Sequence, residues 1–271
     1  MFEYDFMINA FLAGGIVAVV AGSVGFFLVL RGQTFAGHAL SHVGFTGATG
    51  AVLVGLSPFW GLVAFTALGG VGMGLLGEKI SGRDVAIGMV LSVALGLGLL
   101  FLHFFTAFAT QATALLFGNI LGVGPDTLGS LALLGGLSVA VLAMIARPLL
   151  FASLNPELAE AKGVPVRALA VAFLVVVAVA VSESAEIVGV LLVFTLMVGP
   201  AASAQQITTR VGRGVAVAVL LALVDTWVGL TLAYYTDWPT SFWITALSGA
   251  IYLLTLGMRR SINRGGLSHV H

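Results

Sequence analysis

The chain alternates between apolar stretches of roughly 20 residues and short polar breaks. As a helix, each stretch is long enough to cross roughly 30 Å of hydrocarbon. Phe6–Leu30 reads as a single crossing. Residues 32–78, 168–209 and 214–258 each hold two apolar segments around a polar break. Those breaks are Leu56-Ser57-Pro58, Ser182-Glu183-Ser184-Ala185-Glu186 and Thr236-Asp237-Trp238-Pro239. Residues 84–146 number 63, too few for four full crossings. The pattern predicts two there, 84–103 and 126–146. Between them Gln111–Val123, ending at Gly124-Pro125, is expected to be an interfacial or re-entrant helix on the outer side. Non-spanning backbone at membrane depth is tolerated only when buried in protein or lining a wet cavity. The expected fold class is therefore all-α, a polytopic transmembrane helical bundle of about nine spans.

Composition changes this picture only by hardening it. Hydrophobic residues make up 59% of the 271 and charged residues 8%, with a mean hydropathy of +1.13. A soluble domain carries roughly a quarter charged residues, so the solvent here is lipid. A cleaved signal peptide does not account for a pattern that continues to residue 258. Zero net charge gives no sign of a nucleic-acid partner, and the absence of cysteine removes disulfides and thiolate ligands. The 36 glycines suit close helix packing, with Gly70/Gly74 and Gly118/Gly122 expected as small-xxx-small pairs.

The basic residues fall in tight groups: Arg31; Lys79 and Arg83; Arg147, Lys162 and Arg167; Arg210 and Arg213; Arg259, Arg260 and Arg264. Short loops rich in Lys and Arg stay in the cytoplasm. One arrangement, N-out and C-in, puts all 11 of them on that side. Residues 1–258 then form one transmembrane domain, and 259–271, with His269 and His271, a flexible cytoplasmic tail. In the largest cytoplasmic loop, Asn155-Pro156-Glu157 through Lys162-Gly163-Val164-Pro165 reads as a seven-residue helix. Asn155 is a good N-cap and Pro156 suits the first helical position. Glu157 and Glu160 favour the N-terminal half and Lys162 the C-terminal end. Gly163 can take a left-handed cap, and Pro165 stops continuation. Such a rigid knob is either an ordinary loop helix or one that docks into a partner. No GxxxxGK[ST] phosphate loop is present, so ATP-driven transport would need a separate ATPase subunit.

Ionisable groups inside a bilayer are costly and are functional candidates by default. His38-Ala39-Leu40-Ser41-His42 places two imidazoles one helical turn apart on one face, with Thr46 and Thr49 continuing the stripe. Gly37, Gly44, Ala51 and Gly55 form an adjoining small-residue stripe. A neutral imidazole pair can chelate Zn²⁺, Mn²⁺ or Fe²⁺; alternatively both rings bond neighbouring helices. Asp225 is a candidate second ligand, or a carboxyl bonded to a neighbouring hydroxyl. His103 suits an interface, while Glu183 and Glu186 either draw cations to the outer mouth or are solvated loop acids.

The sequence resembles the permease subunits of the zinc/manganese/iron-uptake ABC transporter family, importers fed by an extracytoplasmic metal-binding protein. The similarity runs from about residue 6 to 258. It is carried by Leu30-Arg31 with Gly37-His38-Ala39-Leu40-Ser41-His42, and by Gly118-Asn119-Ile120-Leu121-Gly122. Asn155-Pro156-Glu157 through Gly163-Val164-Pro165 carries it too, as does Val188-Gly189-Val190-Leu191-Leu192-Val193 through Gly199-Pro200-Ala201-Ala202-Ser203-Ala204. The resemblance implies a multi-pass permease of the bacterial inner membrane, homodimeric and served by two ATPase subunits. It has no intrinsic cofactor and is not itself an enzyme. The short loop helix, with Asn155, Glu157, Glu160 and Gly163, would couple to the ATPase, and the metal would meet His38 and His42. Many relatives carry aspartate where this chain has His38; a histidine pair is softer and better suited to zinc. The alternatives are a permease for a metal chelate (siderophore, haem or cobalamin), an ATP-independent secondary transporter, which often shows internal repeats, and an intramembrane zinc enzyme. No HExxH motif supports the last.

Overall fold

Ten α-helices and a 3₁₀ turn make up the described part of the chain, with no strand among the described residues. The computed structural model describes residues 3–76, 80–104, 116–190 and 192–267. The helices are α1 (Asp5–Leu30), α2 (Thr34–Leu53), α3 (Pro58–Leu76), α4 (Ile80–His103), α5 (Pro125–Leu154), α6 (Pro156–Ala161), α7 (Val166–Val188), α8 (Val193–Ile207), α9 (Val211–Thr236) and α10 (Thr240–Leu267). The 3₁₀ turn is Ile120–Gly122. Six helices are long and apolar enough to cross a membrane: α1, α3, α5, α7, α9 and α10. In α4 a shorter apolar stretch, Ile87–His103, stands beside them. The 15-residue α8 is too short for that criterion. α2 falls outside it as well, with two histidines and three threonines in its 20 residues.

Of the six candidate spans, α1 and α7 are the most buried. α1 packs against α5, α7, α8 and α9, while α2 packs chiefly on α3 and α4, with α7 and α8 behind it. Small residues set these distances, as lipid offers no hydrophobic drive between helices. A Cβ at Gly70 would meet Leu174 O at 2.8 Å and one at Gly74 would meet Val171, so this pair seats α3 on α7 as expected.

Two turns fall where the polar breaks put them. α2 ends at Leu53 and α3 begins at Pro58, and α9 ends at Thr236 before α10 begins at Thr240. The third break does not. Ser182–Glu186 is not a loop but lies inside α7, which continues to Val188. The two serines are satisfied within the helix: Ser182 and Ser184 donate to Ala178 O and Ala180 O at 2.9 and 2.7 Å. Ser182 also bonds Thr66 of α3 at 2.7 Å. The chain turns instead at Gly189, whose φ of 81° is natural to glycine.

Gly118 is likewise a turn residue, with φ 78°, so Gly118/Gly122 is not a helix-packing pair. Gly118 and Gly189 pass backbone against backbone, where a Cβ on either would collide with the other strand of chain. Asn119 N donates to Glu186 O at 3.3 Å, pinning this segment to the end of α7. Of the expected outer helix Gln111–Val123, residues 111–115 lie outside the described residues; the described part, 116–123, is broken at the left-handed Gly118 and holds the 3₁₀ turn rather than a continuous helix. α5 is longer than expected, running to Leu154, and α10 continues to Leu267. His269 and His271 lie outside the described residues.

Candidate functional site

α2 begins immediately after Gln33, and its second turn carries His38, its third His42. The helical spacing brings the two imidazoles together, ring centroids 4.8 Å apart and planes at 86°. Both are half-buried. Phe194, at the start of α8, sets its ring edge-on to His38 at 5.8 Å and 86°. Thr34, Phe35, His38 and Phe194 line an open pocket of about 350 Å³. Phe194 was not among the sequence candidates. It lies within the family-like stretch from Val188 to Ala204, but a lone aromatic in an apolar helix carries no polar signal.

Among the described residues no group of three or more His, Asp or Glu stands close enough to hold a metal ion. The histidine pair thus offers at most two protein ligands per chain. That is an incomplete set, unlike the four of a structural zinc site.

The threonines do not extend the site. Thr46 and Thr49 are buried, and their hydroxyls are spent on backbone. Thr46 Oγ1 donates to Ala94 O of α4, and Thr49 Oγ1 donates to Phe45 O and Thr46 O at 3.0 and 2.9 Å. Heptad-like spacing put them near the histidine face, but the packing of α4 on α2 claims that side.

Asp225 is not brought to the histidines either. It is fully buried on α9, facing the Ser248 hydroxyl of α10. That hydroxyl's hydrogen bond goes to Thr195 O at 3.4 Å, and neither Asp225 carboxylate oxygen makes a hydrogen bond of good geometry. Glu183 is not a solvated loop acid. It is 0% exposed, both its oxygens lack a hydrogen-bond partner, and Oε2 lies 3.2 Å from where a Cβ on Gly135 would sit. Glu186 is partly buried, and His103 ends α4 exposed.

The short loop helix forms as the sequence dictates. Asn155 Oδ1 accepts Leu158 N at 3.0 Å, and Pro156 takes the first position. α6 has six residues, one fewer than expected, and ends in a left-handed Gly163 with φ 79°. Gly163 N and Val164 N close the last turn on Glu160 O and Ala159 O at 2.9 and 3.0 Å. Ala159 anchors it underneath, while Asn155, Glu157, Leu158 and Glu160 are exposed. Beside it an open groove of about 820 Å³ is lined by Leu75, Glu160, Gly163, Pro165, Arg167 and Val171 among others.

Comparison with known proteins agrees with this architecture. Residues 3–259 match the model of the ABC 3 transport family. The "Probable metal transport system membrane protein" of Treponema pallidum is 30% identical, covering 95% of this chain and 97% of its own. The "Manganese transport system membrane protein MntC" of Listeria innocua is 28% identical over 86% and 84%. The "Probable iron transport system membrane protein" of Haemophilus influenzae is 27% identical over 94% of each. Among solved structures, PsaBC from Streptococcus pneumoniae in complex with Fab superposes with a TM-score of 0.83 at 26% identity, covering 93% and 91% of the two chains. With a family match of this extent and a bundle of apolar helices to carry it, the chain belongs to the ABC 3 transport family and is a multi-pass membrane permease, a transport subunit rather than an enzyme.

Proposed function

We propose that the chain is the permease of an importer that moves a divalent transition metal into the cytoplasm, driven by a separate ATPase subunit and fed by an extracytoplasmic metal-binding protein. The observation that carries this reading is the half-buried His38–His42 pair, ring centroids 4.8 Å apart, with His38 lining an open pocket. Transport needs coordination that is favourable but incomplete, so that the ion can leave. Two imidazoles, completed by water or by the same pair on a second copy of the chain, meet that need. The relatives are named for manganese, iron or metal in general. The chain's own imidazole pair argues for zinc ahead of manganese or iron, since imidazole suits zinc and a carboxylate suits manganese.

The working assembly is a homodimer of one permease domain, residues 1–258, with α6 as the coupling helix. The proposed topology has about nine crossings, N-terminus out and C-terminus in. Support comes from contacts that gather the Arg31, Ser153, Gln205 and Arg259 regions at one end of the bundle: Arg31 to Ser153, Gln205 Nε2 to Phe26 O at 3.2 Å, and Arg259 to Gln206. The functional test is uptake of Zn²⁺, Mn²⁺ and Fe²⁺, each alone and in competition, by the complex in proteoliposomes. ATP-dependent uptake of Zn²⁺ with the highest kcat/KM supports the reading. ATP-dependent uptake of a metal chelate but of no free ion overturns it.

A further inference from the structure

We infer that Arg31 is a positioning residue that links the coupling helix to the histidine-bearing helix. The inference rests on the reading of α6 as the coupling element. Arg31 caps the C-terminus of α1, two residues before Gln33, the residue that opens α2. Its guanidinium branches toward three elements. Nε donates to Gln33 Oε1 at 3.2 Å. Nη1 donates to Leu149 O at 3.4 Å and to the Ser153 hydroxyl, both in the last turns of α5. The guanidinium carbon stands 5.4 Å from the centre of the buried Phe173 ring on α7.

Each of these partners is tied to the site or to the coupling helix. α5 ends at Leu154 and α6 begins at Pro156, with Asn155 as both the cap of one and the start of the other. Ser153 is therefore one helical turn from the coupling helix along a nearly unbroken backbone. On the other side, Gln33 is buried, and its carbonyl accepts from Ala36 N and Gly37 N at 3.0 and 3.3 Å, fixing the first turn of α2. His38 follows in the next turn. A displacement of α6 thus reaches the start of α2 through one side chain. Only a planar fork with several donors can hold Gln33, Leu149 O and Ser153 together while lying over an aromatic ring. Lysine, a single point charge, reaches one of these groups at a time.

The proposal is tested in the assembled complex in proteoliposomes, with Zn²⁺ and Mn²⁺ as the transported probes. Uptake and ATP hydrolysis are measured together, alongside the melting temperature of each variant. Arg31→Gln and Arg31→Lys are expected to lower the metal moved per ATP by about tenfold, the size of a typical coupling between sites. Ser153→Ala, which leaves the arginine in place, is expected to lower it less, and the double variant Arg31→Gln/Ser153→Ala no further than Arg31→Gln alone. A wild-type ratio in an assembled Arg31→Gln complex overturns the proposal. So does a fall in uptake that only parallels a fall in ATP hydrolysis and in folded protein. Should Arg31→Gln not assemble, Ser153→Ala decides: a wild-type ratio overturns the link. Gly163→Val in α6 is measured alongside. A normal ratio in that variant removes the coupling-helix reading, whereas a lowered ratio there with normal Arg31 variants removes the Arg31 link alone.

Discussion

At the scale of single residues the account rests on two imidazoles and a glycine. Replacing His38 by Asp exchanges an imidazole for a carboxylate, and it should keep transport while shifting preference from Zn²⁺ toward Mn²⁺. Competition uptake reads this directly, and an unchanged metal order contradicts it. Gly163 holds a φ of 79°, which a β-branched side chain resists at a cost of about 1–3 kcal/mol. Gly163→Val should therefore distort the end of α6 and lower uptake per ATP, with the permease still inserted. The histidines, Asn155 and Gly163 were legible in the sequence because each acts through local geometry: a one-turn spacing, a side chain capping its own helix, a backbone sign. Phe194, Arg31 and the buried state of Glu183 were not, since each depends on what a distant segment brings alongside. Phe194 meets a ring 156 positions away in sequence, and Arg31 meets Ser153 at a separation of 122.

At the scale of elements, the polar stretch Ser182–Glu186 shows how composition misleads inside a membrane. Four polar side chains in five residues look like a loop. In α7 the serines turn back on their own helix and Glu183 is enclosed by α1 and α5. An enclosed carboxyl without hydrogen-bond partners adds no stability, so Glu183→Met should leave the melting temperature unchanged or raise it. A fall of several degrees would mean that the carboxyl has a stabilising partner. For α6 the exposed acids are the informative feature. Charge reversal of Glu157 and Glu160 together should reduce coupled uptake without loss of insertion, because neither side chain supports the fold. Normal coupled uptake in that variant would remove the acids from the docking surface.

At the scale of the whole molecule, the alternation of apolar segments and polar breaks carried the class of fold. The number of crossings was harder to read. Both α2 and α8 were expected as crossings, but among the described helices only six are long and apolar enough, α2 being too polar and α8 too short. The chain has no native cysteine, so single cysteines report topology cleanly. One at position 160 should be labelled only from the cytoplasmic side and one at position 238 only from outside; labelling of position 160 from outside would invert the arrangement. The central claim is that a metal ion passes the His38–His42 pair. Its most direct test is ATP-driven Zn²⁺ and Mn²⁺ uptake by the complex carrying His38→Ala and His42→Ala together, reconstituted beside wild type at equal folded amount. The account predicts uptake reduced to background in a complex that still assembles and melts as wild type does. Uptake at the wild-type rate would contradict it, leaving the two rings as packing between helices.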